Sequence, residues 1–311
     1  MIGIDVGGAH LKVVSGDCVY IHPCPLWEGA PLKELLRRHR TGPGDEAAVV
    51  MSGELADCFS GKDEGIAFVV DAVRDVFPEA RFYGTDGRFH DRAGPALAAA
   101  NWLASADFLR ETCPGAVLVD IGSTTTDIIP LGHFSALLGL TDIRRLQKGF
   151  LVYTGMLRTS IPALLPAVTL GGIRTPVSTE FFACSGDAHR VLGHITEEQY
   201  AGDTPDHQGK DRAACLRRLA RVVCADVREI GEEGATRIAV EFAAVQQGMI
   251  RQAVVQAVSG SGATCIITAG IGAGLFAAVL GGTDLSVSLG PAADALPAFA
   301  VREVAVREHI F

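Results

Sequence analysis

The sequence lacks the features of a nucleic-acid-binding or membrane-spanning protein. It has 27 basic and 36 acidic side chains and a formal charge of −9, which disfavours binding to nucleic acid or to an anionic lipid surface. Residues 252–283 carry no charge, but residues 259–262 (Ser-Gly-Ser-Gly) and five later glycines interrupt them. A stretch broken in this way predicts buried elements and loops, not a membrane span.

Secretion signals and cysteine motifs are also absent. Met1 leads directly into an apolar run, with no basic segment and no long apolar segment of the signal-peptide type. The eight cysteines include no CxxC pair and no zinc-like grouping with histidine. We therefore expect reduced, mostly buried thiols, a cytoplasmic location, and neither nucleic acid nor membrane as a partner.

What is present is an alternation of strand and helix patterns that contains one repeat. Residues 4–12 and 119–127 both read as strand, glycine turn and strand. Helical spacing covers, among other segments, residues 95–109 and 212–230. The repeat predicts an α/β protein of two similar domains facing a central cleft. We place these domains at 1–113 and 114–311, with a terminal helix that could pack back on the first.

The first glycine turn has the composition of an anion site. Asp5 ends a strand, and Gly7 and Gly8 allow backbone amides to approach an anion closely. A carboxylate repels phosphate, but it can hold Mg²⁺, which then contacts phosphate oxygens. Lys12 adds a positive charge. We therefore predict that Asp5 is a metal ligand and that both glycines and Lys12 bind phosphate.

The second turn repeats this arrangement. Asp120 corresponds to Asp5 as a second metal ligand, and Asp127 begins the returning strand, where its carboxylate can point into the same cleft. The further anion-binding candidates are Gly122, Ser123, Thr124 and Thr125. One Asp-x-Gly-Gly turn is common in ordinary hairpins, so a purely structural role is the alternative. Two copies in matching contexts favour a shared site for polyphosphate and Mg²⁺.

A third glycine-rich turn follows near the C-terminus. An apolar strand at 266–269 runs into Gly270, Gly272 and Gly274, which open a helix and suit the binding of an anion or a flat ring. Close packing explains these glycines equally well, but they follow both aspartate turns. The three motifs in this order resemble the phosphate-1, phosphate-2 and adenosine motifs of the actin/Hsp70/sugar kinase superfamily. This resemblance implies two RNase H-like domains with a nucleotide-type site between them.

Further segments match a narrower family. Beyond the two aspartate turns they are residues 84–87, 99–104, 153–155, 157–159, 178–183, 220–221 and 224–226. Over nearly the whole chain these segments resemble the hydantoinase/oxoprolinase-like branch of the superfamily. The resemblance is strongest to its methanofuran-biosynthesis synthases, which are linked to tetrahydromethanopterin-dependent one-carbon metabolism. One departure is the Thr-Pro-Asp-His-Gln-Gly run at 204–209, where the family usually carries a Thr-Ala-Asp-Gly-like sequence.

The family resemblance implies a transferase. Such an enzyme joins a furan methanol diphosphate to the phenol oxygen of γ-glutamyltyramine, forming an aryl ether and releasing diphosphate. Asp5, Asp120 and Asp127 would organise Mg²⁺, while Lys12 and the loop amides would hold diphosphate oxygens. The partners are therefore an organic diphosphate and a phenolic acceptor, and a homodimer stays open as the oligomeric state.

Three more residues are candidates for direct roles. A phenol has a pKa of about 10, so a base would assist its ionisation, and Asp86 and Glu180 are candidates. Arg158 could bind diphosphate or the glutamyl carboxylate. The structural alternatives are a simple Asp86-Gly87 turn and an ion pair between Glu180 and Arg158.

Two other functions stay open. An ATP-dependent small-molecule kinase or hydantoinase-like hydrolase would bind and turn over ATP. A non-catalytic nucleotide sensor or assembly factor would change its partner binding without converting a small molecule. The intact set of aspartates favours catalysis.

Overall fold

The computed structural model of the chain, which describes residues 1–42 and 44–311, is built on two main sheets. The strands of the first sheet are β1 (Ile2–Val6), β2 (His10–Ser15), β3 (Cys18–Pro23), β4 (Ala47–Met51), β5 (Arg81–Tyr83) and β6 (Phe89–His90). Their order in the sheet is β3-β2-β1-β4-β5-β6. Strand β1 is antiparallel to β2 and parallel to β4.

The second main sheet repeats this arrangement. The remaining strands are β7 (Ala116–Ile121), β8 (Thr126–Pro130), β9 (Leu151–Val152), β10 (Ala167–Leu170), β11 (Ile173–Pro176), β12 (Cys265–Ala269) and β13 (Thr283–Asp284). The order in the sheet is β13-β12-β7-β8-β9, while β10 and β11 form a separate hairpin. Strands β7, β8 and β9 form an antiparallel meander, and β12 lies parallel to β7. Each sheet thus has a three-stranded meander flanked by parallel strands, and the predicted α/β fold class is confirmed.

Helices cover the faces of both sheets. They are α1 (Leu32–Arg37), α2 (Lys62–Arg74), α3 (Asn101–Leu109), α4 (Phe134–Leu137), α5 (Asp142–Lys148), α6 (Ile161–Leu164), α7 (Ser185–Val191), α8 (Arg212–Arg221), α9 (Val227–Ser261), α10 (Ala273–Leu280), α11 (Ser286–Leu289) and α12 (Leu296–Arg307). Helix α9 is kinked at Gly231, whose φ is 71°. None of the helices described in 1–42 and 44–311 combines the length and apolarity needed to cross a bilayer.

Three large apolar clusters stabilise the chain. One packs β1, β2 and β4 against α1 and α2, and a second packs β7 and β8 against α7, α8 and α9. The third contains Val50 of β4, Leu118 of β7, Trp102 of α3 and Val301 of α12. This third cluster joins the two main sheets. Since burial of a Val or Leu side chain contributes about 1.5–3 kcal/mol, it fixes the sheets relative to each other.

Helix α12 packs directly on the first sheet and on α3. A Cβ atom at Gly3 of β1 would overlap the carbonyl oxygen of Ala298, so only glycine allows this approach. The Arg302 guanidinium of the same helix donates to the Gly16 carbonyl at 2.6 Å. The turn at Gly290–Ala295, just before α12, is thereby brought beside β2 and β3.

Candidate active site

The two aspartate hairpins meet at one site. Asp5 faces Lys12 across β1 and β2, and Asp120 faces Asp127 across β7 and β8. Residues directly opposed on neighbouring strands point to the same face of a sheet. Burial raises the pKa of all three aspartates and the Lys12 ammonium opposes each rise, so Lys12 lies close to carboxylates of both sheets.

Asp5 and Asp120 have strongly perturbed acidities. Burial raises the pKa of Asp5 to about 6 and that of Asp120 to about 7; Lys12 opposes the rise, and the Asp127 carboxylate adds to it. Asp5 is only 4% exposed, and its Oδ1 atom has no hydrogen-bond partner among the described residues. A buried, unpaired carboxylate is costly, and a bound cation would remove that cost.

These features fit Mg²⁺ shared with a substrate. Within 1–42 and 44–311, no three His, Cys, Asp or Glu side chains are grouped as a complete metal cage. Mg²⁺ does not require one, since it is usually held by one or two carboxylates together with water and substrate phosphate. Asp5 and Asp120 would be the two carboxylates for such an ion.

The raised pKa values predict a loss of stability with rising pH. Both aspartates bind a proton more tightly in the folded chain than in the unfolded one, where the pKa is about 4. Their stabilising contribution is therefore complete below about pH 4 and is lost as the pH rises through 6 and 7. We expect the unfolding temperature of the metal-free chain to fall between about pH 5 and about pH 8 by at least about 3 °C, the shift from about 2 kcal/mol at this size.

Thermal unfolding across this range tests the prediction. Asp120→Asn lacks one of the two titrating carboxylates, so its unfolding temperature should fall less than that of the wild type. Added Mg²⁺ should raise the wild-type value most at the alkaline end, because the metal binds the ionised carboxylates of the folded chain. Equal pH profiles for wild type and variant would contradict it.

Asp127 is already paired with a cation. Its carboxylate forms an ion pair with Arg145 of α5, which also contacts Asp142 at 3.0 Å. The Arg145 guanidinium is buried and lies 4.3 Å from the centre of the Trp102 ring. Burial raises the pKa of Asp127, and Arg145 opposes this rise. The structure therefore brings Asp127 to the site as the partner of an arginine that the sequence analysis did not identify.

The turn at 122–125, here called the anion loop, is held by its own backbone and by a neighbouring segment. Gly122 N–H donates to the Thr125 carbonyl at 2.9 Å. Met156 N–H donates to the Gly122 carbonyl, and Leu157 and Arg158 N–H donate to the Ser123 carbonyl, at 2.9, 2.9 and 3.1 Å. In the first turn, Gly7 N–H similarly donates to the His10 carbonyl at 2.9 Å, while the Gly8 carbonyl accepts from Leu26 N–H. Both turns are thus rigidly closed.

The third glycine turn packs behind Asp120. Gly270 has a φ of 79°, and a Cβ atom there would lie 2.5 Å from Asp120 Oδ1. A Cβ atom at Gly272 would lie 2.7 Å from the Ile121 side chain. Both glycines allow close approach to the end of β7, and Ile271 between them lines the adjacent cavity. These contacts are of the close-packing kind that the sequence left as an alternative.

A cavity of about 420 Å³ opens between the two hairpins. Its polar wall includes Lys12, Gly122 and Ser123, all predicted from the sequence. Two further lining residues belong to predicted turns: His10, which could touch phosphate because it directly follows the first glycine turn, and Ile271, which lies within the third. The lining residues that the sequence did not predict are Ile21, Pro23, Leu157, Glu198, Gln199, Ala201 and Asp294. Burial, with the Lys12 and Arg158 charges, lowers the pKa of His10 to about 4, so it is neutral at pH 7.

Both predicted bases lie away from this cavity. Asp86 occupies the β5–β6 turn, where Gly87 has a φ of 73° and His90 Nε2 lies 3.0 Å from the Asp86 carboxylate. Glu180 is exposed. Within the described ranges, neither residue lines the cavity, and Glu180 forms no ion pair with Arg158. Arg158 instead lies over the Trp27 ring at 4.3 Å and is near enough to His10 to affect its acidity.

Comparison with known proteins identifies the family. Residues 45–305 match the hydantoinase/oxoprolinase family model. The chain belongs to this family. A relative from Methanocaldococcus jannaschii, the (4-{4-[2-(gamma-L-glutamylamino)ethyl]phenoxymethyl}furan-2-yl)methanamine synthase, is 39% identical over 240 residues, which cover 73% of this chain and 72% of the relative. A synthase of the same name from Methanococcus vannielii is 37% identical over 156 residues, covering 50% of this chain and 70% of the relative.

One solved structure has a fold similar to that of this chain. The nucleotide-free structure of acetone carboxylase aligns with 96% of this chain and 69% of its own, with a TM-score of 0.55 and 12% identity. At that identity the likeness shows the fold alone. The predicted family membership is confirmed, and so is the prediction of an enzyme of the synthase type, since both relatives are synthases.

Proposed function

We propose that this family member is a transferase that makes an aryl ether from a furanmethyl diphosphate and the phenol of γ-glutamyltyramine. The phenol oxygen forms a bond to the furanmethyl carbon, and the bond from that carbon to diphosphate breaks with its electron pair. The phenol proton passes to a base. The name of the two relatives contains this phenoxymethyl-furan linkage, which supports the choice of reaction.

The observation that carries the proposal is the mixed lining of the cavity. Lys12 and Ser123 of the anion loop provide a cation and a hydroxyl group that suit the oxygens of diphosphate. Other parts of the wall consist of apolar side chains, which suit flat rings and limit the access of water. They are Ile21, Pro23, Leu157 and Ile271.

Different residues of the chain would assist different parts of diphosphate departure. Lys12 and the Ser123 hydroxyl would hold the leaving oxygens where negative charge develops. Asp5 and Asp120 would hold Mg²⁺, which supplies further charge neutralisation for the departing diphosphate. Loss of a stabilised leaving group, and not transfer of a phosphoryl group, would then drive the reaction.

Asp294 is the best-placed acceptor for the phenol proton. It lines the cavity and lies near Lys12 and Asp120, since the Lys12 charge lowers the pKa of Asp294 and the Asp294 carboxylate contributes to the raised pKa of Asp120. The Asp294 side chain is partly exposed to solvent, and its partial desolvation raises its pKa above the ordinary value for aspartate, which makes the carboxylate a stronger base. Asp294 thus replaces Asp86 and Glu180 as the candidate base.

A direct assay tests this function. Purified protein is incubated with furanmethyl diphosphate, γ-glutamyltyramine and Mg²⁺, and we expect diphosphate release in a one-to-one ratio with an ether detected by mass spectrometry. Omission of the phenol is the control for simple hydrolysis. A parallel incubation with ATP in place of the furan diphosphate should give no turnover. A requirement for ATP, or ADP production coupled to acceptor consumption, would overturn the proposal in favour of a kinase or hydrolase.

A further inference from the structure

A buried polar network connects helix α9 with the region of the anion loop. Gln246 of α9 is fully buried. Its Nε2 atom donates to Thr154 Oγ1 at 2.8 Å and to the Gly155 carbonyl at 2.9 Å. Its Oε1 atom lies 2.8 Å from His189 Nε2. A buried amide is costly unless its hydrogen bonds are made, so this set of bonds holds Gln246 in one orientation.

The hydrogen bonds continue beyond Gln246 to His189 and His194. Burial lowers the pKa of His189 to about 4, so the ring is neutral, and Nε2–H donation to Gln246 leaves Nδ1 as an acceptor. His194 Nδ1 lies 3.0 Å from that atom. The network therefore runs from His194 through His189 and Gln246 to Thr154 and Gly155.

Gly155 is in direct contact with the anion loop. A Cβ atom there would lie 2.7 Å from the Gly122 carbonyl oxygen and equally close to backbone carbons of Ser123 and Thr124. The next three residues, 156–158, donate their backbone N–H groups to the loop. A shift of residues 154–155 would consequently move the loop backbone.

A second side chain fixes the same two residues from the other side. Thr159 Oγ1 accepts from Gly155 N–H at 3.1 Å and lies 2.9 Å from Thr154 Oγ1. Thr159 N–H in turn donates to Ser185 Oγ at 3.0 Å. Gln246 and Thr159 thus restrain residues 154–155 through their carbonyl, amide and hydroxyl groups.

We propose that Gln246 is a positioning residue for diphosphate binding. It fixes Thr154 and Gly155, and through them it fixes the anion-loop amides and the Ser123 hydroxyl at the diphosphate end of the cavity. This inference rests on the proposed function, because it takes the anion loop to be the diphosphate site. Gln246 itself does not touch the substrate.

Calorimetric titration with inorganic diphosphate and Mg²⁺ tests this role. We expect Gln246→Met, which preserves length but removes the hydrogen bonds, to weaken diphosphate binding by about tenfold. Gln247→Met is the matched control, since the same residue type lies next on the helix and Gln247 is not part of this network. Tyramine, a probe for the apolar lining of the cavity, should bind wild type and Gln246→Met equally, which a general loss of structure would not allow.

The outcomes separate the two proposals. If wild type does not bind diphosphate, the proposed function and this inference both fail. If wild type binds and folded Gln246→Met binds equally well, only the positioning role is wrong. Should Gln246→Met not fold by circular dichroism, Thr159→Val decides, because it removes the other restraint without changing side-chain volume and should weaken diphosphate binding in the same direction. Unchanged binding by Thr159→Val would then overturn the inference.

Discussion

Replacing Asp120 by asparagine is expected to lower kcat/KM for ether formation by at least about a hundredfold, or about 2.7 kcal/mol in transition-state free energy. Asparagine keeps the size of the side chain but cannot supply the negative charge that holds Mg²⁺ beside the diphosphate. The same change should stabilise the metal-free fold at about pH 8, because it removes a buried carboxylate whose pKa is raised to about 7. Activity and stability should therefore change in opposite directions.

These opposite signs make the experiment decisive. Steady-state diphosphate release gives kcat/KM, and thermal unfolding of the same sample gives stability. Asp71→Asn on α2 is a suitable control, because Asp71 is exposed and lies outside the cavity wall. Wild-type turnover by Asp120→Asn would remove Asp120 from the reaction and would leave the proposed Mg²⁺ site without one of its two ligands.

Replacing Arg218 by leucine is expected to destabilise the fold by about 3–5 kcal/mol. Arg218 is fully buried, and its guanidinium contacts the equally buried Asp187 at 2.8 Å from Nε and 2.7 Å from the terminal nitrogen. The same guanidinium donates to Asp206 and to the Gly209 carbonyl at 2.9 and 3.0 Å, anchoring the segment that departs from the family pattern. Leucine would leave the Asp187 charge buried and without its main partner.

Urea unfolding measures this loss. Arg217→Leu, an exposed neighbour on α8, should change the unfolding free energy by no more than about 0.5 kcal/mol. The double variant Arg218→Leu/Asp187→Leu should be more stable than Arg218→Leu alone, because the orphaned charge is removed as well. An Arg218→Leu chain as stable as wild type would show that the buried pair contributes no net free energy.

The parts of the fold that the sequence predicted are those encoded over short stretches. Each aspartate hairpin is a local strand–turn–strand unit, so its cross-strand pairs follow from the pattern alone. The helix predicted at 95–109 is wrong in its first part, because Ala99 has a φ of 47° and α3 begins only at Asn101. Alanine normally favours a helix. Near Ala99 lies the buried Glu54 carboxylate, whose pKa is raised by burial and lowered by the Ala99 backbone, so the local structure depends on a residue distant in sequence.

The helix predicted at 212–230 is likewise two helices. The first ends at Arg221, and Cys224 in the connection has a φ of 58°. The Asp226 carboxylate then caps α9 by accepting from Arg228 and Glu229 N–H. An Asp before a helical run is a known start signal, so this boundary could have been found locally. The left-handed backbone conformation of Cys224 could not have been predicted, because residues with a β-carbon rarely adopt it.

In the site, too, some residues are recognisable from local sequence and others depend on contacts distant in sequence. Asp5, Lys12 and Asp120 were accessible from the sequence because each lies within a repeated local motif. Arg145 and Asp294 were not, because only tertiary packing brings α5 and the 290–295 turn to the hairpins. A buried arginine in particular gives no sign in an otherwise polar helix, since its burial depends on Asp127, Asp142 and the Trp102 ring.

The packing of α12 on the first sheet has a consequence for synthesis on the ribosome. Strands β1 and β4 are complete once residue 51 has been made, but the helix that covers one of their faces spans Leu296–Arg307. During translation that apolar face stays uncovered until α12 has been synthesised. The nascent chain can meanwhile bind chaperones or aggregate through this face. Asp294 arrives only with the same late segment, so the emerging chain cannot complete its cavity before the last helix docks.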